Sequence, residues 1–441
     1  MSICLFPNTA YLSETSRAIA IYRALREEGE SPFVATHGGT YEFVLQKEHI
    51  PYHIVPPVMT PERCRDYVLA NIGKKPRFYS TQELREHVNA EVYFFREHMI
   101  RVVHIGFTLS AKLLARVEGI PLSTTHGSFF PLVFEKRLAP YRKDFNRGPV
   151  RLLPESWKVR FVNWLYSHGR FYTGPFNAVA RESGIPPIRS VVDLFSGDYT
   201  FVTDTPEIIG ISTEEMEAWE NAADSRYSSS IRLIHAGAIY AKLFGELPQD
   251  VLDFLNTDKP KLFVALTSSA EDYLSAVYDC VKHLDVRVVF CTTTQPKRFK
   301  SSEHVLITDH VPSHRIMPMC DLAIIHGGQG SVQTAIASGT PVIGFALQPE
   351  QNLNLQLVEN HGAGFNLTVS ELKRRRLAGY IHSVLSDRRF AVNMNRLREW
   401  QARYDGPKNV ARGLQEIARS VRCDEHRSPG GNQIGSVATR Q

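Results

Sequence analysis

The chain has 441 residues, 43% hydrophobic and 22% charged, with a formal net charge of +5. That length exceeds one ordinary core and asks for two domains of roughly 200 residues each. The composition argues against a disordered chain, no apolar run reaches the ~20 residues a bilayer span needs, and the charge is too diffuse to argue for nucleic-acid binding.

Six cysteines (Cys4, Cys64, Cys280, Cys291, Cys320, Cys423) form no C-x-x-C pair. They read as reduced thiols rather than a disulfide frame or a zinc site. Met1 to Leu12 lacks the basic start and small-residue cleavage site of a secretory signal, so a cytoplasmic protein is expected.

Short β-branched runs alternate with helical patterns throughout, the mark of parallel sheets built from βαβ units. Ile3 to Phe6 reads as a buried strand. Thr15 to Glu28 reads as a helix ended by Gly29, and Ser31 to Thr36 as the next strand. Met99 to His104 is a strand, Leu109 to Glu118 its helix, and Ile120 to Thr124 the strand after that. Pro154 to Tyr172 is then a helix rich in aromatic and basic residues, followed by a short helix from Phe176 to Gly184. Ser212 to Ser230 is charged and Ser-rich, which suits a surface connection, and the domain boundary is placed there. The alternation restarts with strands at Lys261 to Leu266, Val286 to Cys291, Val305 to Thr308 and Leu322 to Ile325, and a helix at Ala270 to His283.

The most informative segment is Asp321-Leu-Ala-Ile-Ile-His326-Gly-Gly-Gln-Gly-Ser331, followed by Ala335, Gly339-Thr-Pro341 and Glu350-Gln351. A strand delivers the chain to His326, glycines strip the turn of side chains, and a helix begins at or near Ser331. Such a turn offers backbone N–H groups and a helix dipole to an anion, so a diphosphate is the natural occupant. A tight βα turn that binds nothing is the alternative, because a short glycine motif is a weak signal by itself. Downstream, the strand Val342 to Phe345 leads to Glu350 and Gln351. A carboxylate beside a carboxamide suits vicinal sugar hydroxyls, since one accepts hydrogen bonds and the other also donates them.

On these residues the chain resembles the UDP-glycosyltransferase-like family of GT-B-fold glycosyltransferases, in its bacterial small-molecule and lipid-glycosylating branch. The family pattern H-G-G-x-G-S, A, G-x-P, D/E-Q and a later G-x-G is met by His326 to Ser331, Ala335, Gly339 to Pro341, Glu350-Gln351 and Gly362-Ala-Gly364. Fainter matches are His310-Val311-Pro312, Gly119-Ile-Pro121, Ser183-Gly184-Ile185-Pro186 and Gly197-Asp198, and the likeness runs from about Ile3 to Leu414.

The resemblance implies an α/β, GT-B architecture: two Rossmann-like, doubly wound parallel-sheet domains facing across a cleft. Residues 1–225 would bind the acceptor and 226–420 the donor, and residues 421–441 read as a disordered tail. The implied donor site comprises Thr267, Ser268, His310, Val311, His326, Gly327, Gly328, Gly330, Ser331, Glu350 and Gln351. A nucleotide sugar, commonly UDP-linked, would be the co-substrate, with no other cofactor and no metal. The expected reaction moves a hexosyl group, with inversion, to a hydroxyl of a small-molecule or lipid-like acceptor. The alternatives are an epimerase or hydrolase of nucleotide sugars on the same fold, or a degenerate nucleotide-sugar-binding protein.

Three positions depart from the family pattern. Its G-S loop reads Thr267-Ser268-Ser269, its Trp under the base is His310, and its catalytic G-H aligns with Ser13-Glu14. The strand that should end in the partner aspartate ends at His104. Carboxylate and imidazole thus look exchanged, and Glu14 with His104 is the expected acid/base pair. A helix-capping Glu14 and an interior His104 are the competing expectation. His126 and His37 are further candidates on nearby loops, His126 the better placed.

From Phe134 to Tyr172 the chain gathers Lys136, Arg137, Arg142, Lys143, Arg147, Arg151, Lys158, Arg160 and Arg170 with Trp157, Phe161, Trp164, Tyr166, Phe171 and Tyr172. An ordinary solvated face over buried aromatics is the first expectation. An acceptor lid comes next, then contact with anionic lipid headgroups.

Overall fold

A computed structural model describes residues 2–427, apart from 128–129, 143–144, 147, 222–225, 241, 244, 267–270, 293–297, 310 and 374–375. Two parallel sheets organise the molecule. The first contains β1 (Ile3–Leu5), β2 (Phe33–Thr36), β3 (His53–Ile54), β4 (Val102–Ile105), β5 (Leu122–His126), β6 (Tyr199–Val202) and β7 (Arg232–His235), in the order β3-β2-β1-β4-β5-β6-β7. The second contains β8 (Lys261–Ala265), β9 (Arg287–Cys291), β10 (Val305–Thr308), β11 (Leu322–Ile325), β12 (Val342–Gly344) and β13 (Gly364–Asn366), in the order β10-β9-β8-β11-β12-β13.

Both orders run outward from a central strand and then reverse, which makes each sheet doubly wound. The reversal falls between β1 and β4 in the first sheet and between β8 and β11 in the second. Connections leave in opposite directions there, so a crevice opens beyond the strand ends. In register, Leu5 lies opposite His104, and Ile325 opposite Ala265 and Gly344. The loops that follow β1, β4 and β11 therefore emerge at the two switch points.

Helices cover both faces of each sheet, which is why the central strands are apolar along their whole length rather than alternating. Ile3, Cys4 and Leu5 are fully buried, as are Leu322 to Ile325. The Leu12–Glu27 helix follows β1 and carries Glu14 in its first turn, where the helix dipole favours a carboxylate. The final helix, Gly406–Arg427, does not stay with the second sheet. Its Val410, Ala411, Leu414 and Ile417 pack with Ile3, Leu5, Ile19 and Leu25 of the first domain.

Two expectations on organisation need correction. The boundary expected at residue 225 lies later, because β7 pairs in parallel with β6 and completes the first sheet. Its strand signal falls after the Ser-rich stretch, which contains the Thr213–Glu217 helix and links two neighbouring strands of one domain. Residues 421–427 of the expected tail are helical, since the last helix runs to Arg427. Residues 428–441 lie outside the described residues. No helix among the described residues is long and apolar enough to cross a membrane.

Candidate active site

The two switch points face one cavity of about 830 Å³. From the first domain it is lined by Ser13, Glu14, Arg17, Gly106, His126 and Gly127, and from the second by His326, Gly328, Gln329, Gly330, Ser331, Glu350 and Gln351. Thr267, Ser268 and His310 lie outside the described residues. Val311 is buried in the core of the second domain.

On the donor side, the Gln329–Ser338 helix starts directly after the glycine bend, with Gly328 at its N-cap and no side-chain cap. Orphan backbone N–H groups at such an end, with the helix dipole behind them, form an anion seat. The glycines have different jobs. Gly327 has φ +85°, and a Cβ there would fall 2.6 Å from the Leu355 side chain, so this residue is required by the fold itself. A Cβ on Gly330 would meet nothing within 4 Å, so its missing side chain leaves open room at the cleft.

Burial depresses the His326 pKa to about 4, against an opposing hydrogen bond to the Ala265 backbone, and its Nδ1 is a buried atom with no hydrogen-bond partner. A neutral imidazole that donates from one nitrogen follows. Glu350 and Gln351 open the Pro349–Asn360 helix that follows β12. Glu350 accepts from Asn354 Nδ2 at 3.1 Å. Burial raises its pKa, opposed by the Asn354 amide, the Arg17 guanidinium and the Gln329 backbone N–H. Gln351 turns its Oε1 to the backbone N–H of Leu347 at 2.8 Å, which leaves its NH₂ group as the donor for a ligand.

On the acceptor side the expected Glu14–His104 pair is not formed. Glu14 accepts from Arg17 Nη1 at 3.0 Å, and His104 Nδ1 is bonded to Ser123 Oγ at 2.8 Å. His104 is buried, and it is not among the residues that line the main cavity. Burial, reinforced by the nearby charges of Arg17 and His126, lowers its pKa to about 3. The reason is register: His104 stands opposite Leu5 inside the sheet rather than on the loop beyond β4. Glu14 does line the cavity, and burial raises its carboxyl pKa against the pull of Arg17 and the Phe107 backbone N–H.

His126 also lines the cavity. Its Nε2 donates to the Phe195 carbonyl, and burial lowers its pKa to about 4. His37 is interior: Nδ1 meets the Val55 carbonyl and Nε2 meets Glu91 Oε1, both at 2.8 Å.

Two residues escaped the sequence reading. Arg17 bridges the domains, holding Glu14 through Nη1 and Gln329 Oε1 through Nη2 at 2.9 Å. Gln329, the variable position of the glycine motif, also donates to Thr203 Oγ1 at 2.9 Å. The i,i+3 spacing of Glu14 and Arg17 is a local signal for that ion pair; nothing local points to Gln329. Room for these groups comes from two glycines after β4 and β5. A Cβ on Gly106 would fall 1.3 Å from Glu14 Oε2, and one on Gly127 would fall 1.1 Å from Gln329 Nε2.

Residues 275–417 match the family described as "Erythromycin biosynthesis protein CIII-like, C-terminal domain". The chain is 26% identical over 318 residues to a PGL/p-HBAD biosynthesis rhamnosyltransferase of Mycobacterium bovis, covering 70% of this chain and 66% of that protein. Among solved structures, spinosyn forosaminyltransferase SpnP superposes with a TM-score of 0.65 at 14% identity, over 94% of this chain and 99% of that one. Spinosyn rhamnosyltransferase SpnG complexed with thymidine diphosphate superposes with a TM-score of 0.63 at 14% identity, over 94% and 100%.

The fold is therefore that of the GT-B glycosyltransferases. Within that class the chain is similar in sequence to bacterial sugar transferases, and its residues 275–417 resemble the EryCIII-like C-terminal domain.

Proposed function

We propose that this protein transfers a hexosyl group from a nucleoside diphosphate sugar to a hydroxyl of a small-molecule or lipid-like acceptor, with inversion. The observation that carries this reading is a single cavity with a glycine-led helix N-terminus and His326 on one side and Glu14 and His126 on the other. The thymidine diphosphate complex of a structural neighbour supports a nucleoside diphosphate as the donor's leaving part.

In this scheme the diphosphate sits against the backbone N–H groups of Gly328, Gly330 and Ser331, and His326 donates to one of its oxygens. Glu350 and Gln351 hold sugar hydroxyls. Glu14 takes the proton of the acceptor hydroxyl as the oxygen attacks the anomeric carbon, and the C–O bond to the diphosphate breaks with its electron pair on the phosphate. The raised pKa of Glu14 suits a general base, and Arg17 holds its carboxylate in place. His126 is the second candidate base. Free thiols at Cys4, Cys64, Cys280, Cys291 and Cys320 support a reducing, cytoplasmic setting.

Calorimetry with UDP and thymidine diphosphate, followed by their hexose conjugates, tests the donor site. One of them binds, and His326→Ala weakens it about tenfold or more by removing a charge-assisted donor. Failure of every nucleotide to bind would end the proposal. The unjoined Glu14 and His104 favour a second reading, nucleotide-sugar binding without transfer. Glu14→Gln separates the two. Under transfer it lowers kcat by about 10²–10⁴-fold and leaves donor affinity unchanged, whereas a pure binder shows no turnover to lose.

A further inference from the structure

The Glu155–His168 helix is turned inside out. Trp157, Phe161 and Trp164 recur at i, i+4 and i+7 and so share one face. That face is open to solvent, with the three residues 64%, 58% and 55% exposed, and Leu152 just before it is 84% exposed. Its fully buried positions are the polar Lys158, Asn163 and Ser167, with Tyr166 half-buried against the core beside them. Asn163 Nδ2 donates to the Ala139 carbonyl at 3.0 Å, Ser167 Oγ donates to the Asn163 carbonyl at 2.9 Å, and Lys158 Nζ donates to Asn146 Oδ1 at 3.0 Å. A surface helix ordinarily buries its apolar stripe, and an exposed aromatic stripe of this size marks an interaction surface.

The charge around the stripe says what kind of surface it fits. Arg151, Arg160 and Arg170 are exposed, and among the described residues no carboxylate pairs with them. Glu155, the acid nearest in sequence to Arg151 and Arg160, is engaged by Lys158 at 3.6 Å. Large aromatics ringed by unpaired arginines match the interface of an anionic bilayer, where rings sit at headgroup level and cations meet lipid phosphates. A second copy of the chain fits poorly, because a two-fold contact would set these unpaired arginines against their own equivalents. The same segment continues into Tyr166, Phe171 and Tyr172, which line the catalytic cavity.

We propose that the face formed by Leu152, Trp157, Phe161, Trp164, Arg151 and Arg160 seats this protein on an anionic lipid bilayer. The seat brings the acceptor side of the cleft to the membrane surface, so that a lipid-anchored hydroxyl reaches the cavity without leaving the bilayer. The lipid-binding claim stands apart from the glycosyl-transfer reading, because its test measures binding alone.

The test is co-sedimentation of the full chain with vesicles of equimolar phosphatidylcholine and phosphatidylglycerol, or of phosphatidylcholine alone, at low and high salt. The full chain pellets with the anionic vesicles at low salt and much less with the neutral ones. R151E/R160E lowers partitioning by about tenfold or more, and W157S/F161S/W164S by about a hundredfold. Both variants keep wild-type nucleotide affinity, since none of these residues lines the cavity. Should the triple variant not fold, R151E/R160E carries the test through its salt dependence. The proposal is overturned if the wild type stays in the supernatant with anionic vesicles, or if both variants bind as the wild type does. It is equally overturned if light scattering shows a dimer that the aromatic substitutions dissociate while lipid binding is absent.

Discussion

At the scale of single residues, the site is decided by what lies next to each titratable group. Glu14 keeps its place because Gly106 has no side chain. Gly106→Ala should therefore displace the carboxylate and lower kcat in step with Glu14→Gln, while calorimetry finds donor affinity unchanged. His104 illustrates the opposite case, a histidine shut in the sheet and kept neutral by burial. Its folded pKa, about 3, lies below the ordinary value of about 6.5. The unfolded chain therefore binds the extra proton, and stability that is full above pH 6.5 is lost as pH falls toward 3. Between pH 7 and pH 5 this group alone removes about 2 kcal/mol. Denaturant melts of the wild type and His104→Asn should show the shallower pH dependence in the variant. Parallel loss in both would mean His104 is not the source.

At the scale of elements, the glycine bend between β11 and the Gln329–Ser338 helix performs two tasks that substitution can separate. Gly327→Ala forces a left-handed backbone on alanine and drives its Cβ into Leu355, at a cost of about 2–4 kcal/mol. Gly330→Ala meets no protein atom, so the melting temperature should hold while nucleotide affinity falls. The reverse pattern in paired melting and binding measurements would remove Gly330 from the ligand's path. The bend was legible from sequence because every cue is local: an apolar strand, glycines, then a helix start. The orientation of the Glu155–His168 helix was not. An apolar stripe at helical spacing reads as buried, yet here Lys158, Asn163 and Ser167 face inward and Trp157, Phe161 and Trp164 outward.

At the scale of the whole molecule, the two domains are joined by more than the chain that runs from β7 to β8. Arg17 and Thr203 of the first domain meet Gln329 of the second, and Gln333 Nε2 donates to the Thr203 carbonyl at 2.7 Å. The last helix returns to the first domain and supplies part of its core. Removing residues 406–441 should leave the first domain unable to fold cooperatively, seen as loss of a sigmoidal denaturant transition. Within that helix Leu414→Ala, at a fully buried position, should cost about 2–5 kcal/mol in denaturant unfolding.

Sequence by itself determined the two-sheet α/β class, most strand and helix positions, and the glycine-led bend with Glu350 and Gln351 downstream. All of these rest on periodicity, turn chemistry and spacing, which act over a few residues. Tertiary structure alone decided that β7 closes the first sheet, that the final helix crosses back to it, and that Arg17 reaches Gln329 of the other domain while His104 lies inside the sheet opposite Leu5. Those outcomes depend on pairings between segments tens to hundreds of residues apart. Their free energy comes from burial and register, and no local pattern records which distant partner supplies it.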